Sequence, residues 1–141
     1  MLDADGLIAR LGLQPHPEGG WYRQTWVDDT ANGRPHGTCI YFLLKAGERS
    51  HWHRVDAAEI WHFYAGAPLV LSIAASDKGP RVDHRLGADL STGAIPQIIV
   101  PKGYWQAART TGDYTLAGCT VSPGFRFEGF ELAAPGFDIP G

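Results

Sequence analysis

Two histidines and one glutamate within nine residues are the side chains of this sequence best suited to chemistry. His51 and His53 are separated by one residue, and Glu59 follows after five more. Because alternate residues of a β-strand share a face, we expect both imidazoles to project from the same side. A tight turn over residues 55–58 would return the chain antiparallel and bring the Glu59 carboxylate beside them. We therefore predict that His53 and Glu59 face one cavity, within hydrogen-bonding or shared-ligand reach.

Such a group supports two kinds of chemistry. Two imidazoles and a carboxylate suit a divalent transition metal such as iron, zinc, nickel or manganese. A histidine that is hydrogen-bonded to an orienting carboxylate is equally suited to general acid–base catalysis. The residues by themselves leave both alternatives open.

The elements that position these residues are predicted to be β-strands of one domain covering residues 1–141. The chain has 18 glycines and 10 prolines, and they separate short apolar and aromatic runs, which is typical of a sandwich or barrel. One helix is predicted at about 3–12, with Asp3 or Asp5 as its N-cap and Gly12 at its end. A barrel at about 20–132 would follow, with turns such as the one at 32–35. Ten strands are predicted, at 21–27, 38–44, 50–54, 59–64, 69–74, 81–85, 97–100, 104–109, 114–121 and 125–132. Short strands without helical crossovers indicate an all-β antiparallel barrel or jelly roll.

Composition excludes several classes of protein. The chain has 141 residues, 44% of them hydrophobic and 19% charged, so it can form one hydrophobic core and is not a disordered chain. Its net charge of −3 argues against nucleic acid or an anionic membrane as partner. No apolar run approaches the ~18 residues of a membrane helix, and an acidic start does not suit a signal peptide. We expect a cytoplasmic protein in which Cys39 and Cys119 are buried, unreactive thiols.

The segment from Gly47 to Gly66 resembles the first sequence motif of the cupin superfamily, in which a His-x-His pair precedes a glutamate. His51, His53 and Glu59 follow that pattern, and six residues separate Glu59 from Gly66, as in the family. The interval between His53 and Glu59 is five residues where the family has three or four.

A second cupin motif, Pro-x-Gly followed by histidine, is matched in part. Pro101 and Gly103 fit it, but Gln106 stands where the family has its fourth metal-ligating histidine. Over the full chain, six segments in order resemble the bacterial and fungal cupin family filed as domain of unknown function 985, and they cover nearly the whole chain: 17–23, 40–44, 59–62, 86–90, 100–103 and 118–125.

The resemblance implies a jelly-roll barrel, commonly a homodimer, with a small-molecule pocket at the barrel mouth. The family has no settled activity, and its members have been compared with nucleotide-sugar epimerases, auxin-binding proteins and seed storage proteins. The first hypothesis is a metal-independent epimerase or isomerase. In it His53 is the base, Glu59 orients it, and Tyr104 or Tyr41 returns the proton.

Two alternatives stay open. A metal-dependent dioxygenase or lyase would hold its metal through His51, His53, Glu59 and Gln106. A non-catalytic module would bind a small ligand in an aromatic-lined barrel. For any of these hypotheses, the candidate ligand-binding side chains are His51, Tyr41, Trp61, Phe63, Gln106 and Arg23.

The remaining histidines are expected to be structural. His16, His36 and His84 lie next to predicted turns and are expected at the surface, whereas His62 is expected to pack or to lie in an interface. For dimerisation, the aromatic segment 21–26 and the apolar C-terminal run are the candidate surfaces.

Overall fold

Two antiparallel β-sheets face each other and form the predicted jelly roll, in a computed structural model that describes residues 2–30 and 33–141. The first sheet has the strand order β1-β2-β3-β10-β5-β8 and the second β11-β4-β9-β6-β7. One helix, α1 (Ala4–Leu11), precedes the strands. The strands are β1 (Gln14–Pro15), β2 (Trp21–Val27), β3 (Thr38–Lys45), β4 (Arg49–Val55), β5 (Ala58–Gly66), β6 (Leu69–Ala74), β7 (Val82–Leu86), β8 (Gln97–Val100), β9 (Trp105–Thr110), β10 (Tyr114–Ser122) and β11 (Phe130–Leu132).

Local capping interactions define the helix. Asp3 Oδ1 accepts a hydrogen bond from the Gly6 N–H at 2.8 Å, and Gly12 ends the helix with φ 68°. A side-chain acceptor at the N-cap and a left-handed glycine at the end are the signals that the sequence carries. The apolar side of the helix packs against Leu43 of β3 and Leu116 of β10.

The core lies between the two sheets. Phe42, Trp61, Leu69, Leu71 and Leu86 are at most 1% exposed and form one cluster. Each such side chain contributes roughly 1.5–3 kcal/mol when it is buried. In the described part of the chain, no helix is long and apolar enough to cross a membrane.

The turn at 55–58 does not form the predicted hairpin. Strand β4 pairs with β9 and β11 in the second sheet, whereas β5 pairs with β10 and β8 in the first. The chain therefore passes from one sheet to the other at this point. As a result, Glu59 lies across the barrel interior from β4 and not beside it.

The last predicted strand, 125–132, is only partly a strand. The predicted strand 125–132 is shorter, because Phe127–Gly129 forms a 3-10 turn and only Phe130–Leu132 is strand. Arg126, just before that turn, forms an ion pair with the Asp56 carboxylate at 2.9 Å.

The turn predicted at 32–35 begins at Asn32, which lies outside the described residues.

Candidate functional site

A β-bulge in β4 decides which histidine faces the barrel interior. The register pairs Ser50 with Ala108 and His53 with Gln106, so two residues of β4 oppose one of β9 between those pairs. The extra residue breaks the alternation of faces. Ser50 and His53 are buried in the interior, whereas His51 lies on the outer side of the sheet. The expectation that His51 and His53 share a face is wrong.

His53 and Glu59 line one cavity of about 130 Å³ between the sheets. Its wall includes the rings of Tyr22, Phe125 and Phe127. The Cys119 thiol also lines it, and burial raises the pKa of that thiol well above its usual value, so the thiol stays protonated. The structure thus brings the two residues of the sequence hypothesis to the same cavity.

Two further titratable side chains, His16 and Glu18, line this cavity and were missed by the sequence analysis. Each is only 8% exposed, so the prediction that His16 is a surface residue is wrong. The His51 N–H donates to the Glu18 carbonyl at 2.8 Å, which fastens the loop between β1 and β2 onto β4. The sequence offered one signal, a charged residue between Pro17 and two glycines, but the burial of that residue depends on packing against β4.

The Glu18 carboxyl group is the centre of the polar contacts. Its Oε2 accepts a hydrogen bond from the Ser50 hydroxyl. Its Oε1 lies 3.5 Å from His53 Nε2 and 3.4 Å from His16 Nδ1. One carboxyl group therefore faces two imidazoles inside the barrel.

Hydrogen bonds determine the tautomers of both histidines. His53 Nδ1 lies 2.8 Å from the carbonyl oxygen of His51, which can only accept, so Nδ1 carries the proton. Burial lowers the pKa of His53, which leaves the ring neutral with a free lone pair on Nε2. His16 Nδ1 accepts the Glu18 N–H at 3.1 Å, and burial lowers the pKa of this ring to about 4. His16 is thus neutral as well, with its proton on Nε2.

The two carboxyl groups differ in protonation. Burial raises the pKa of Glu18 to about 8, against the opposing hydrogen bond from Ser50. Burial also raises the pKa of Glu59, to about 6, which the nearby His53 opposes and the Glu18 charge reinforces. Near neutral pH, Glu18 therefore holds a proton while Glu59 is mostly ionised. Titratable groups whose environments separate their pKa values are typical of acid–base sites.

Several predicted ligand-binding residues lie away from the cavity. Trp61 is 1% exposed and packs edge-on against Phe42 in the core, where Phe63 also packs. Tyr41 lies on the outer face of β3, because Ile40 is the neighbour that points inward.

Tyr104 and Arg23 are also outside the cavity. Tyr104 belongs to the turn before β9, where its N–H donates to the Pro101 carbonyl at 3.1 Å, and the residue is 36% exposed. Arg23 is exposed on β2 and donates to the Leu11 carbonyl at 3.2 Å. Placing Tyr104 and Tyr41 near His53 as proton donors was therefore wrong. Tyr41 points outward from β3, and Tyr104 lies in the turn before β9, so the alternation that places Gln106 inside does not extend to it.

Comparisons with known proteins agree with this architecture. The family model described as Cupin superfamily (DUF985) matches residues 5–133. The chain belongs to the cupin superfamily. Protein SO0799 from Shewanella oneidensis is 43% identical, with 95% of this cupin and 86% of that chain covered and a TM-score of 0.89. A hypothetical protein from Leishmania major is 32% identical, with 94% and 88% covered and a TM-score of 0.84.

A more distant likeness concerns the fold alone. Oxalate decarboxylase from Bacillus subtilis, in its structure at pH 4.6, is 15% identical, with 84% of this cupin and 29% of that chain covered and a TM-score of 0.64. No curated protein matches this cupin.

The metal that cupins commonly hold does not fit the side chains at the four expected positions. His51 Nε2 lies 2.9 Å from the Ala134 carbonyl on the outer side of the sheet. Gln106 uses both ends of its amide, since Nε2 donates to Glu59 Oε1 and Oε1 accepts from Trp61 Nε1, each at 2.8 Å. Across residues 2–30 and 33–141, no group of three or more His, Cys, Asp or Glu residues has the geometry to hold a metal ion. Gln106 instead orients Glu59.

Proposed function

We propose that this cupin is a metal-independent enzyme that moves a proton on a small polar molecule, as epimerases and isomerases do. The observation that supports the proposal is the approach of Glu18 Oε1 to within 3.5 Å of His53 Nε2 in one cavity, where burial raises the pKa of Glu18 to about 8. Proton removal next to a carbonyl needs a base for the carbon-bound proton and an acid for the carbonyl oxygen, and the two can lie side by side. Both are present in the same cavity.

His53 is the base in this proposal. Its Nδ1–H is held by the His51 carbonyl, so Nε2 is the atom that takes the proton. The imidazolium that forms is stabilised by the Glu59 carboxylate, which Gln106 holds in place. Glu18 takes the acid role that the sequence analysis gave to Tyr104, because it carries the proton that Tyr104 is too far away to supply.

The charge of the cavity indicates the class of substrate. Among the described residues, no lysine or arginine lines it, and Glu59 contributes a negative charge. A phosphorylated or nucleotide-linked sugar would be poorly accommodated, because its phosphates would lack cationic partners. A neutral hydroxy-carbonyl compound, such as a free sugar, suits the polar groups and the aromatic rings.

The test is deuterium incorporation from D₂O into a panel of free aldoses and ketoses, with protein purified without a nickel column. We expect exchange by the unmodified chain and a loss of about 10²–10⁴-fold for His53→Gln and Glu59→Gln. The matched controls are His36→Gln and Glu131→Gln, which remove exposed side chains of the same types and should leave exchange unchanged.

The other outcomes separate the alternatives. Exchange that is lost with a chelator and restored by iron, zinc, nickel or manganese would support a metal-dependent dioxygenase or lyase. Tryptophan fluorescence that reports binding without any exchange, and that survives His53→Gln, would support a non-catalytic binding module.

We further propose that the chain pairs with a second copy through the edge of β2. Strand β1 pairs only with Trp21 and Tyr22, so the rest of this edge has no strand partner within the described residues. Trp26 and Val27 on it are 49% and 39% exposed. An open apolar edge favours pairing with another strand. In the apolar C-terminal run, the other candidate surface, Ile139 is fully buried whereas Leu132 is 40% exposed.

Sedimentation at micromolar concentration tests this pairing. We expect a dimer for the unmodified chain and a monomer for Val27→Lys, because a charge on the edge opposes strand pairing. Val82→Lys is the matched control, since Val82 is equally apolar and exposed on the edge strand β7 of the other sheet. A dimer that withstands Val27→Lys would exclude β2 as the interface.

A further inference from the structure

A second concave site lies outside the barrel, on the outer face of the second sheet. It is a groove of about 430 Å³ between strands β4, β9 and β6 and the C-terminal segment 136–138. The bulge of β4 separates it from the barrel cavity: His51 and Trp52 face the groove, whereas His53 faces the interior. Its volume is within the range of about 300–1,000 Å³ that small-molecule sites have.

A row of arginines crosses this face of the sheet. Arg49 of β4 is directly opposite Arg109 of β9, Arg109 is opposite Val70 of β6, and Val70 is opposite Arg85 of β7. Directly paired residues of neighbouring strands share a face, and like charges in such positions are destabilising. Folding therefore gains nothing from the adjacent Arg49 and Arg109, and an anion between them would remove the repulsion.

The acidic side chains of the groove already have partners. Asp83 accepts from the Ser72 hydroxyl at 2.6 Å and from Arg81 Nε at 3.3 Å. Asp138 accepts from Trp52 Nε1 and from the Ile139 N–H, each at 2.9 Å.

By contrast, Arg49 and Arg109 have no hydrogen-bonding or ion-pair partner of their own in the described part of the chain, although both are exposed at the groove. Arg49 is close enough to Asp138 for its charge to contribute, after the hydrogen bonds from Trp52 and Ile139, to the lowered pKa of that carboxyl. With Arg81, three guanidinium groups face two carboxylates, in a chain whose net charge is −3.

We propose that this groove binds a small organic anion through a phosphate or carboxylate group held between Arg49 and Arg109. Guanidinium groups form paired, charge-assisted hydrogen bonds with the oxygens of such groups. Trp52, Phe137 and Val70 provide apolar wall for the remainder of the molecule. The site is independent of the barrel cavity and would take a ligand of the opposite character, since the cavity, within the described residues, lacks cationic side chains.

The experiment is calorimetric titration with inorganic phosphate and, separately, with succinate, at constant ionic strength. We expect saturable binding of at least one anion, weakened by about tenfold or more in Arg49→Gln/Arg109→Gln. Arg85→Gln is the matched control: it removes an exposed charge from the same row but outside the groove, and should leave the dissociation constant unchanged. Arg49→Lys/Arg109→Lys keeps both charges, so weaker binding by that variant would show that the paired geometry contributes.

The ratio of the two dissociation constants separates a phosphorylated from a carboxylated ligand. His53→Gln should bind the anion as the unmodified chain does, which distinguishes this site from the proposed enzyme site. Thermal unfolding of the double Gln variant without anion should show no loss of stability, because a repulsive pair has been removed. The proposal is overturned if neither anion binds saturably, or if the double Gln variant and Arg85→Gln bind equally.

Discussion

Replacing Glu18 with glutamine is expected to make the protein more stable than the unmodified chain at pH 8 while leaving the two about equally stable at pH 5. Burial raises the pKa of Glu18 from the ordinary 4.5 to about 8. A carboxyl group whose pKa is raised by folding contributes its stability below the unfolded value and loses it as the pH rises through the folded value. The unmodified chain should therefore lose up to about 1.4 kcal/mol per pH unit from this group between pH 4.5 and 8.

The amide of the variant keeps the shape of a neutral carboxyl group but does not titrate. Other groups have their own pH dependence: Glu59, with its pKa raised to about 6, has the same sign. His16 has its pKa lowered to about 4, so it has the opposite sign and destabilises the fold as the pH falls below 6.5. Because both are present in the variant too, the difference between the two proteins reports on Glu18 together with its effect on the neighbouring Glu59.

Urea unfolding at half-unit intervals from pH 5 to 8 gives this difference directly. Glu131→Gln is the control, because that exposed glutamate is paired only at the surface with Arg54 and should give a flat difference. A flat difference for Glu18→Gln as well would show that Glu18 is ionised in the folded protein. The acid role proposed for it would then be wrong.

Replacing Gly19 with alanine is expected to cost at least about 3 kcal/mol of unfolding free energy. Gly19 has φ 110°, a conformation that other residues rarely adopt, and an alanine Cβ would overlap the carbonyl oxygen of Arg49. That oxygen belongs to the backbone of β4 and cannot move away cheaply. Relief of the overlap would separate the 16–20 loop from β4, and with it the Glu18 carboxyl group from Ser50.

Gly93→Ala is the control that separates the cost of a positive φ from the cost of the steric overlap. Gly93 also has positive φ, 84°, but no atom lies within 4 Å of the added Cβ. Gly93→Ala should lower the free energy of unfolding by only about 1–2 kcal/mol, which is what a left-handed backbone conformation costs a residue with a side chain. Equal losses of unfolding free energy in the two variants would contradict close contact between Gly19 and β4.

Much of the fold is determined by local sequence signals. Strands Trp21–Val27, Leu69–Ala74 and Gln97–Val100 have the bounds that the sequence predicted, because β-rich runs between turn residues need no distant contact to define them. The helix has its predicted ends for the same reason, with Asp3 and Gly12 as caps. The cupin motifs could likewise be identified from the sequence, and with them His53 and Glu59 as candidate site residues.

The composition of the cavity was decided by tertiary structure. The bulge in β4 depends on its pairing with β9, more than fifty residues away, and one extra residue moved His51 to the outer face. The passage of the chain between sheets at 55–58 placed Glu59 across the interior from His53. The burial of His16 and Glu18 depends on the packing of their loop against Ser50 and its neighbours. Strand alternation and turn chemistry are properties of neighbouring residues, whereas register, sheet exchange and loop packing are set by contacts between distant segments, so only the folded chain determines which polar groups meet.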